Sequence, residues 1–191
     1  MNQNVKIAKE LVKLAKSLVA EEDIANQKGW YENFTGTIDY ENLKAKVTNA
    51  TFRLAPSLGS YSTYIEWKSG TWIDGTWESG DWDDGTWING VWKHGVWHQG
   101  TWKGGTWENG ELCGGIWEDG TWKDGDWYGG TWKKGTWEDG TWWKGVWEDG
   151  IWKDGIWKED VNAWKGGTWE GGFNSSMGFF PAGDSPDKWQ K

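Results

Sequence analysis

Residues 115–140 read GIWEDGTWKDGDWYGGTWKKGTWEDG. Trp returns every fifth residue, Gly three residues after it, and a charged or small polar pair stands between them. Working outward, the phase holds from 67 to 157. Of the nineteen Trp positions, eighteen hold Trp and one holds Leu112. Gly fills every fifth position from 70 to 155. In the eighteen slots from 71 to 156, the residue before the Trp position is Thr, Val or Ile, except at Asp81, Glu111 and Asp126.

Five is not a helical period, and Gly at every fifth residue destabilises any helix. A three-residue strand followed by a two-residue turn fits. Asp-Gly and Asn-Gly supply the turn, since both residue types tolerate positive φ. Alternation along the strand sends Trp to one face and both its neighbours to the other. The charged neighbour belongs in water, so Trp faces inward. A flat meander would leave every indole on one exposed face. A solenoid encloses them, and the expected core includes Trp72, Trp77, Trp87, Trp92, Trp102, Trp107, Trp122, Trp132, Trp137, Trp147 and Trp152.

Charge sets the coil length. In a parallel solenoid like charges directly above one another repel. At a step of fifteen, the residue after Trp reads Glu78, Lys93, Glu108, Lys123, Glu138, Lys153 in one column and Lys103, Glu118, Lys133, Glu148 in another. Lys68 with Asp83 follows the same rule. A step of twenty instead stacks Lys103 on Lys123, Glu118 on Glu138 and Lys133 on Lys153. Three pentads per coil is the better reading, with a four-sided coil as the alternative. Each exposed pair is worth only about 0.2–1 kcal/mol, so the ladder fixes register more than it adds stability. The expected fold is all-β: a parallel β-solenoid of Thr-Trp-x-x-Gly repeats with fifteen residues per coil, about six coils and roughly 30 Å long.

The whole chain has 191 residues, with 23 Trp and 30 Gly but only 3 Pro, 1 Cys and 2 His. That length allows one domain with an appendage. Disordered chains are poor in aromatics, so this composition points to an ordered core. Few Pro and no Gly triplet exclude collagen. One Cys excludes a disulfide scaffold and a Cys-based zinc site. Net charge is −9. Residues 66–160 carry 9 Lys against 19 Asp and Glu, which argues against sequence-independent nucleic-acid binding.

Four segments follow. Residues 1–28 hold an amphipathic helix over 4–26, with Ile7, Leu11, Leu14 and Leu18 on one stripe as a docking face for a partner. Lysines interrupt its apolar run, so it is not a secretory signal, and no stretch is long enough to span a membrane. Residues 29–66 are aromatic and β-branched and are expected to begin and cap the solenoid. Residues 67–160 are the repeat. Residues 161–191 lose the phase and read as a cap and an exposed end.

The units Ala45-Lys46-Val47-Thr48-Asn49 and Ala50-Thr51-Phe52-Arg53-Leu54 are in phase with the Trp repeat. They resemble the pentapeptide-repeat family, whose Ala-x-Leu/Phe-x-x units wind a β-solenoid. Replacing Ala by Gly and Phe by Trp keeps total volume, because a smaller neighbour admits a larger core residue. The N-terminal VKIAKELVKLAKSLVAEE looks like the leading segment of virion proteins of large tailed bacteriophages, and Ala20-Glu21-Glu22 resembles their processing site.

No residue set points to catalysis. His94 and His98 occupy outward positions with no third ligand, so no metal site and no cofactor is expected. Cys113 stands where the repeat breaks and reads as a tolerated variation. The carboxylates recur as decoration, with no acid pair singled out. Outward Thr columns such as Thr71, Thr86 and Thr101 resemble ice-binding arrays, but their partners two residues on are mostly charged. The expected function is a non-enzymatic, rod-like element of a larger assembly in a virion or the cytoplasm. Its partners would be proteins or further copies, met through the N-terminal helix or the solenoid ends. The alternatives are a glycan-binding adhesin module and, by the family resemblance, an acidic DNA mimic that inhibits gyrase.

Overall fold

The computed structural model describes the backbone of residues 30–34, 38–40, 45–56, 63–158, 163–175 and 178–183, and side chains from residue 66 onward. The expected helix, with Ile7, Leu11, Leu14 and Leu18, lies outside the described residues.

The repeat forms a three-sided parallel β-solenoid with fifteen residues per coil. β4 (Thr63–Trp77) runs around the first coil. It is followed by β5 (Gly80–Trp82) and by two-residue strands from β6 (Thr86–Trp87) to β20 (Ile156–Trp157). β5, β6 and β7 pair in parallel with β4, and from β8 on each strand pairs with the one three before it: Trp92 aligns with Trp107, Trp107 with Trp122, and Trp122 with Trp137. The four-sided alternative is thereby excluded.

Each coil bonds to the one below at two points per side. Lys123 N donates to Trp107 O at 2.8 Å, and Thr121 N donates to Gly105 O at 2.9 Å. The strand proper is two residues rather than the expected three. The residue after Trp leaves the strand, yet its N–H still bonds to the coil below. The Asp-Gly corner also differs from expectation in its chemistry. The carboxylate works by hydrogen bonding, as Asp124 Oδ1 accepts from Gly125 N at 2.7 Å.

Three faces result. The first carries Trp67, Trp82, Trp97, Leu112, Trp127, Trp142 and Trp157; the second runs from Trp72 to Trp147; the third runs from Trp77 to Trp152. Every one of these side chains is at most 2 % exposed. Indoles one coil apart stack with centroids 4.7–5.2 Å apart and planes within 8°. Around the coil, successive indoles meet edge to face, as in Trp117–Trp122 at 5.9 Å and 72°. Offset stacks and T-shaped pairs are the two arrangements the ring quadrupole favours. The buried Nε1 atoms of Trp107, Trp122 and Trp137 have no hydrogen-bond partner, and that of Trp137 lies beside the corner at Gly155 in the coil above. Leu112 interrupts the first column, and Trp127 there comes within 6.5 Å of Trp117, a contact at ten-residue separation made nowhere else among the described residues.

The corner is strict about residue type. Gly105 has φ +100°, and a Cβ there would lie 2.4 Å from Gly90 O in the coil below. This explains a difference from the sequence reading at the N-terminal end. Residues 45–54 do not form a coil. β3 (Ala45–Pro56) lies antiparallel to β4, with Val47 opposite Trp72 and Phe52 opposite Trp67. Ala45, Ala50 and Ala55 stand at the positions that corner glycines hold later. Their Cβ atoms disfavour the positive φ of a corner, so the segment stays extended. β1 (Trp30–Phe34) and β2 (Ile38–Tyr40) add antiparallel to β3. The first layer of indoles, Trp67, Trp72 and Trp77, is as buried as the interior layers.

At the other end the coil continues beyond the strict repeat. The step lengthens to seventeen residues, aligning Trp147 with Trp164, Trp152 with Trp169, and Trp157 with Asn174. Thr168–Trp169 is β21, and β22 (Gly171–Asn174) turns back into β23 (Gly178–Pro181) as an antiparallel hairpin. Trp169 Nε1 donates to Phe180 O at 3.2 Å, and Phe180 and Ala163 pack on the core. Seven coil steps separate Trp67 from Asn174, a rise of about 34 Å at the usual strand spacing.

Candidate functional site

The core and the corners impose the same demands on all three faces, so outward residues that break the pattern need another explanation. Sorted by face, they are not evenly spread.

On the third face the residue after Trp follows the charge ladder. Lys93 Nζ lies 3.0 Å from Glu78, Lys123 3.5 Å from Glu108, and Lys153 3.1 Å from Glu138. Each lysine reaches to the carboxylate one coil earlier, so the ladder is built of successive pairs. The second face begins with Ile73 and Ile88 and then adopts the same scheme, with Lys133 3.5 Å from Glu118 and Lys134 3.0 Å from Asp119. The position before Trp on both faces is Thr, Val or Ile throughout the strict repeat.

The first face is different. After Trp or Leu it reads Lys68, Asp83, His98, Cys113, Tyr128, Trp143 and Lys158. Before Trp or Leu, it holds every exception to the β-branched rule: Glu66, Asp81, Glu111 and Asp126. Leu112, the one non-Trp side chain in the strict repeat's core, is on the same face.

Its side chains form two groups. At the lower end Lys68 pairs with Asp83 and, at 3.1 Å, with Glu66. Burial raises the Asp81 carboxyl above its usual range, with Glu66 and Asp83 adding to this and His98 opposing it. At the upper end Tyr128 stacks on Trp143 with centroids 5.7 Å apart and planes 17° apart. Trp143 Nε1 donates to Asp126 Oδ1 at 3.0 Å, and Lys158 Nζ sits 3.7 Å from the Trp143 ring centroid. Trp143 is 39 % exposed. Desolvation raises the Tyr128 phenol, and Asp126, Glu111 and Cys113 raise it further.

Between the groups lies Cys113, exposed and neighboured by His98 in the coil below. Burial and then Glu111 push the thiol up, whereas an activated cysteine is a thiolate with a depressed pKa. His94 stands apart on the third face, one residue beyond Lys93. Among the described residues no group of three or more His, Cys, Asp or Glu could hold a metal ion. No helix among them is long and apolar enough to cross a membrane.

The clustering on one face was open to sequence reasoning. The signal was the fifteen-residue step itself: applied to the uncharged and β-breaking residues as well as to the ladder, it places Asp81, Glu111, Asp126, His98, Cys113, Tyr128 and Trp143 together. The Tyr128–Trp143–Lys158 stack and the Asp126 hydrogen bond required the structure. Compared with known protein families, with characterised proteins and with solved structures, the chain has no match in any of the three.

Proposed function

We propose that the chain is a non-enzymatic, rod-like structural element of a larger assembly. The observation that carries this reading is the stack of indole columns, broken only at Leu112 in the strict repeat and terminated at each end by antiparallel strands. β3 lines the first coil and the β22–β23 hairpin closes the last. A parallel solenoid with bare ends would add further copies edge to edge. One with antiparallel strands at both ends is a rod of fixed length, suited to holding two other parts about 34 Å apart. Close packing of rings gives such a rod stiffness, because packed interiors transmit strain rather than absorb it.

The N-terminal resemblance makes a virion of a tailed bacteriophage the assembly of choice, with residues 1–28 as the docking segment. Mass spectrometry of purified particles tests it. The chain is expected at a fixed ratio to the major structural proteins. Its absence from purified virions, while it is abundant in the lysate they came from, would overturn the reading. The adhesin alternative calls for an open indole face. Trp143, the one exposed indole among the described residues, has Tyr128 in the coil below and Lys158 in the coil above. The DNA-mimic alternative calls for an unbroken negative stripe, and the alternating ladders of the second and third faces interrupt it.

A further inference from the structure

The outward aromatic column of the first face has a missing rung. Tyr128 and Trp143 stack one coil apart, but one coil below Tyr128 the position holds the short side chain of Cys113. The next ring down is His98, two coils from Tyr128. At strand spacing that leaves roughly 10 Å between the two ring positions, enough for one planar group to stack at about half that distance. The lower face of Tyr128 is therefore unmatched by any aromatic neighbour in its column.

The sides of this slot are acidic. Glu111 precedes Leu112 in the coil of Cys113, and Asp126 occupies the same position one coil above. Asp126 is held by Trp143 Nε1 through one oxygen, which leaves the other to accept. Glu111 takes part in no ion pair among the described residues, and Lys144 of the coil above lies over Gly129, on the side of Tyr128 away from Asp126. The Glu111 carboxylate and the second oxygen of Asp126, beside an unmatched ring, select a planar cation. A nucleic acid is repelled by the carboxylates, and a lysine ammonium has no plane to continue the stack. The arginine guanidinium is flat, stacks on aromatic faces and carries five N–H donors for carboxylate oxygens.

We infer that the first face docks an arginine-bearing segment of a partner protein, the guanidinium entering as the missing rung beside Cys113, stacked on Tyr128 and bonded to Glu111 and Asp126. This goes beyond the rod reading, which needs no particular side contact, and it supplies the rod with a lateral attachment point.

The single cysteine of the chain gives a local readout. The full chain is titrated with a tetra-arginine peptide by calorimetry, and the rate of Cys113 modification by a thiol reagent is followed in parallel. Saturating peptide is expected to slow modification about fivefold or more, and tetra-lysine is expected to bind about fivefold more weakly. Glu111→Gln and Tyr128→Leu are each expected to weaken tetra-arginine binding about fivefold or more. Cys113→Tyr fills the rung and should weaken binding without changing charge, while Glu108→Gln on the third face should leave it as in the wild type. Thermal melting of each variant checks that it is folded, and the thiol protection is measured on the unaltered chain. The inference is overturned if Cys113 is not protected, or if Glu111→Gln and Tyr128→Leu bind as the wild type does. It is equally overturned if a malto-oligosaccharide or duplex DNA protects Cys113 and the arginine peptide does not.

Discussion

Gly104 and Gly105 are neighbours in one corner, and the structure assigns them opposite tolerances. At Gly105 φ is +100°, and an added Cβ would lie 2.4 Å from Gly90 O and 2.8 Å from Gly90 N. Both neighbours are backbone atoms of the coil below, so neither can swing aside. Holding alanine at this φ costs about 1–3 kcal/mol. Relieving the contact requires the coils to part by about 1 Å, which stretches hydrogen bonds worth about 0.5–1.5 kcal/mol each. The bonds at stake are Thr106 N to Gly90 O at 2.8 Å and Thr121 N to Gly105 O at 2.9 Å. Gly105→Ala is therefore expected to cost about 2–6 kcal/mol in all. At Gly104 the added Cβ would meet only Ile88 O, at 3.4 Å, and the backbone is not in the positive-φ region. Gly104→Ala is expected to be neutral or to stabilise by up to about 1 kcal/mol, by restricting the unfolded chain. Urea titration of both variants, with slopes compared to confirm that the same structure is unfolding, reads the difference. Equal midpoints for the two variants would refute the claim that coil-to-coil backbone contact dictates glycine at the corner.

Other expectations follow from the same geometry. Trp122 stacks on Trp107 and Trp137 at 4.7 and 4.8 Å and meets Trp117 and Trp127 edge-on, so Trp122→Ala should cost about 3–5 kcal/mol or more. Hydrogen exchange should then quicken first at the amides of Lys123 and Glu138, which bond across those coils. Lys123→Glu stacks like charges against both Glu108 and Glu138 and should cost about 0.2–1 kcal/mol at each, a loss that shrinks as salt is raised, as thermal melts at low and high ionic strength would show. Asp81 has its carboxyl pKa raised, chiefly by burial. Its contribution is most favourable below the unfolded value of about 3.9 and is lost as pH rises through the higher folded value. Asp81→Asn should therefore raise the melting temperature at pH 7, and the gain should shrink toward pH 3; a gain independent of pH would refute the assignment.

Much of this fold was legible because the repeat is redundant. One Trp in five fixed the period, and Glu78 to Lys153 fixed the coil at fifteen residues through charge alone. What was not legible depended on backbone contact between coils. Ala45 and Ala50 share the phase of the repeat, and only the 2.4 Å approach at the corner glycines explains why alanine there leaves β3 extended. Asn174 reads as a tail residue because two extra residues precede it, yet it fills the position above Trp157 and is 4 % exposed. The outward face was missed for a different reason. Asp81 and Cys113 each stand in the sequence as a single departure, and a single departure in a repeat is ordinary variation. Their alignment on one side is what gives them meaning.

The central claim is the three-sided coil, and a disulfide trap measures it directly. In a Cys113→Ser background, Thr121→Cys with Thr136→Cys places cysteines fifteen residues apart on paired strands. Strand spacing of about 4.8 Å lies within the Cα separation that a disulfide spans. Thr121→Cys with Thr141→Cys places them twenty apart, on different faces. Mild oxidation of the folded chain followed by peptide mapping is expected to give an intramolecular crosslink in the first pair and none in the second. A crosslink in the twenty-residue pair, with none in the fifteen-residue pair, would contradict the three-sided coil.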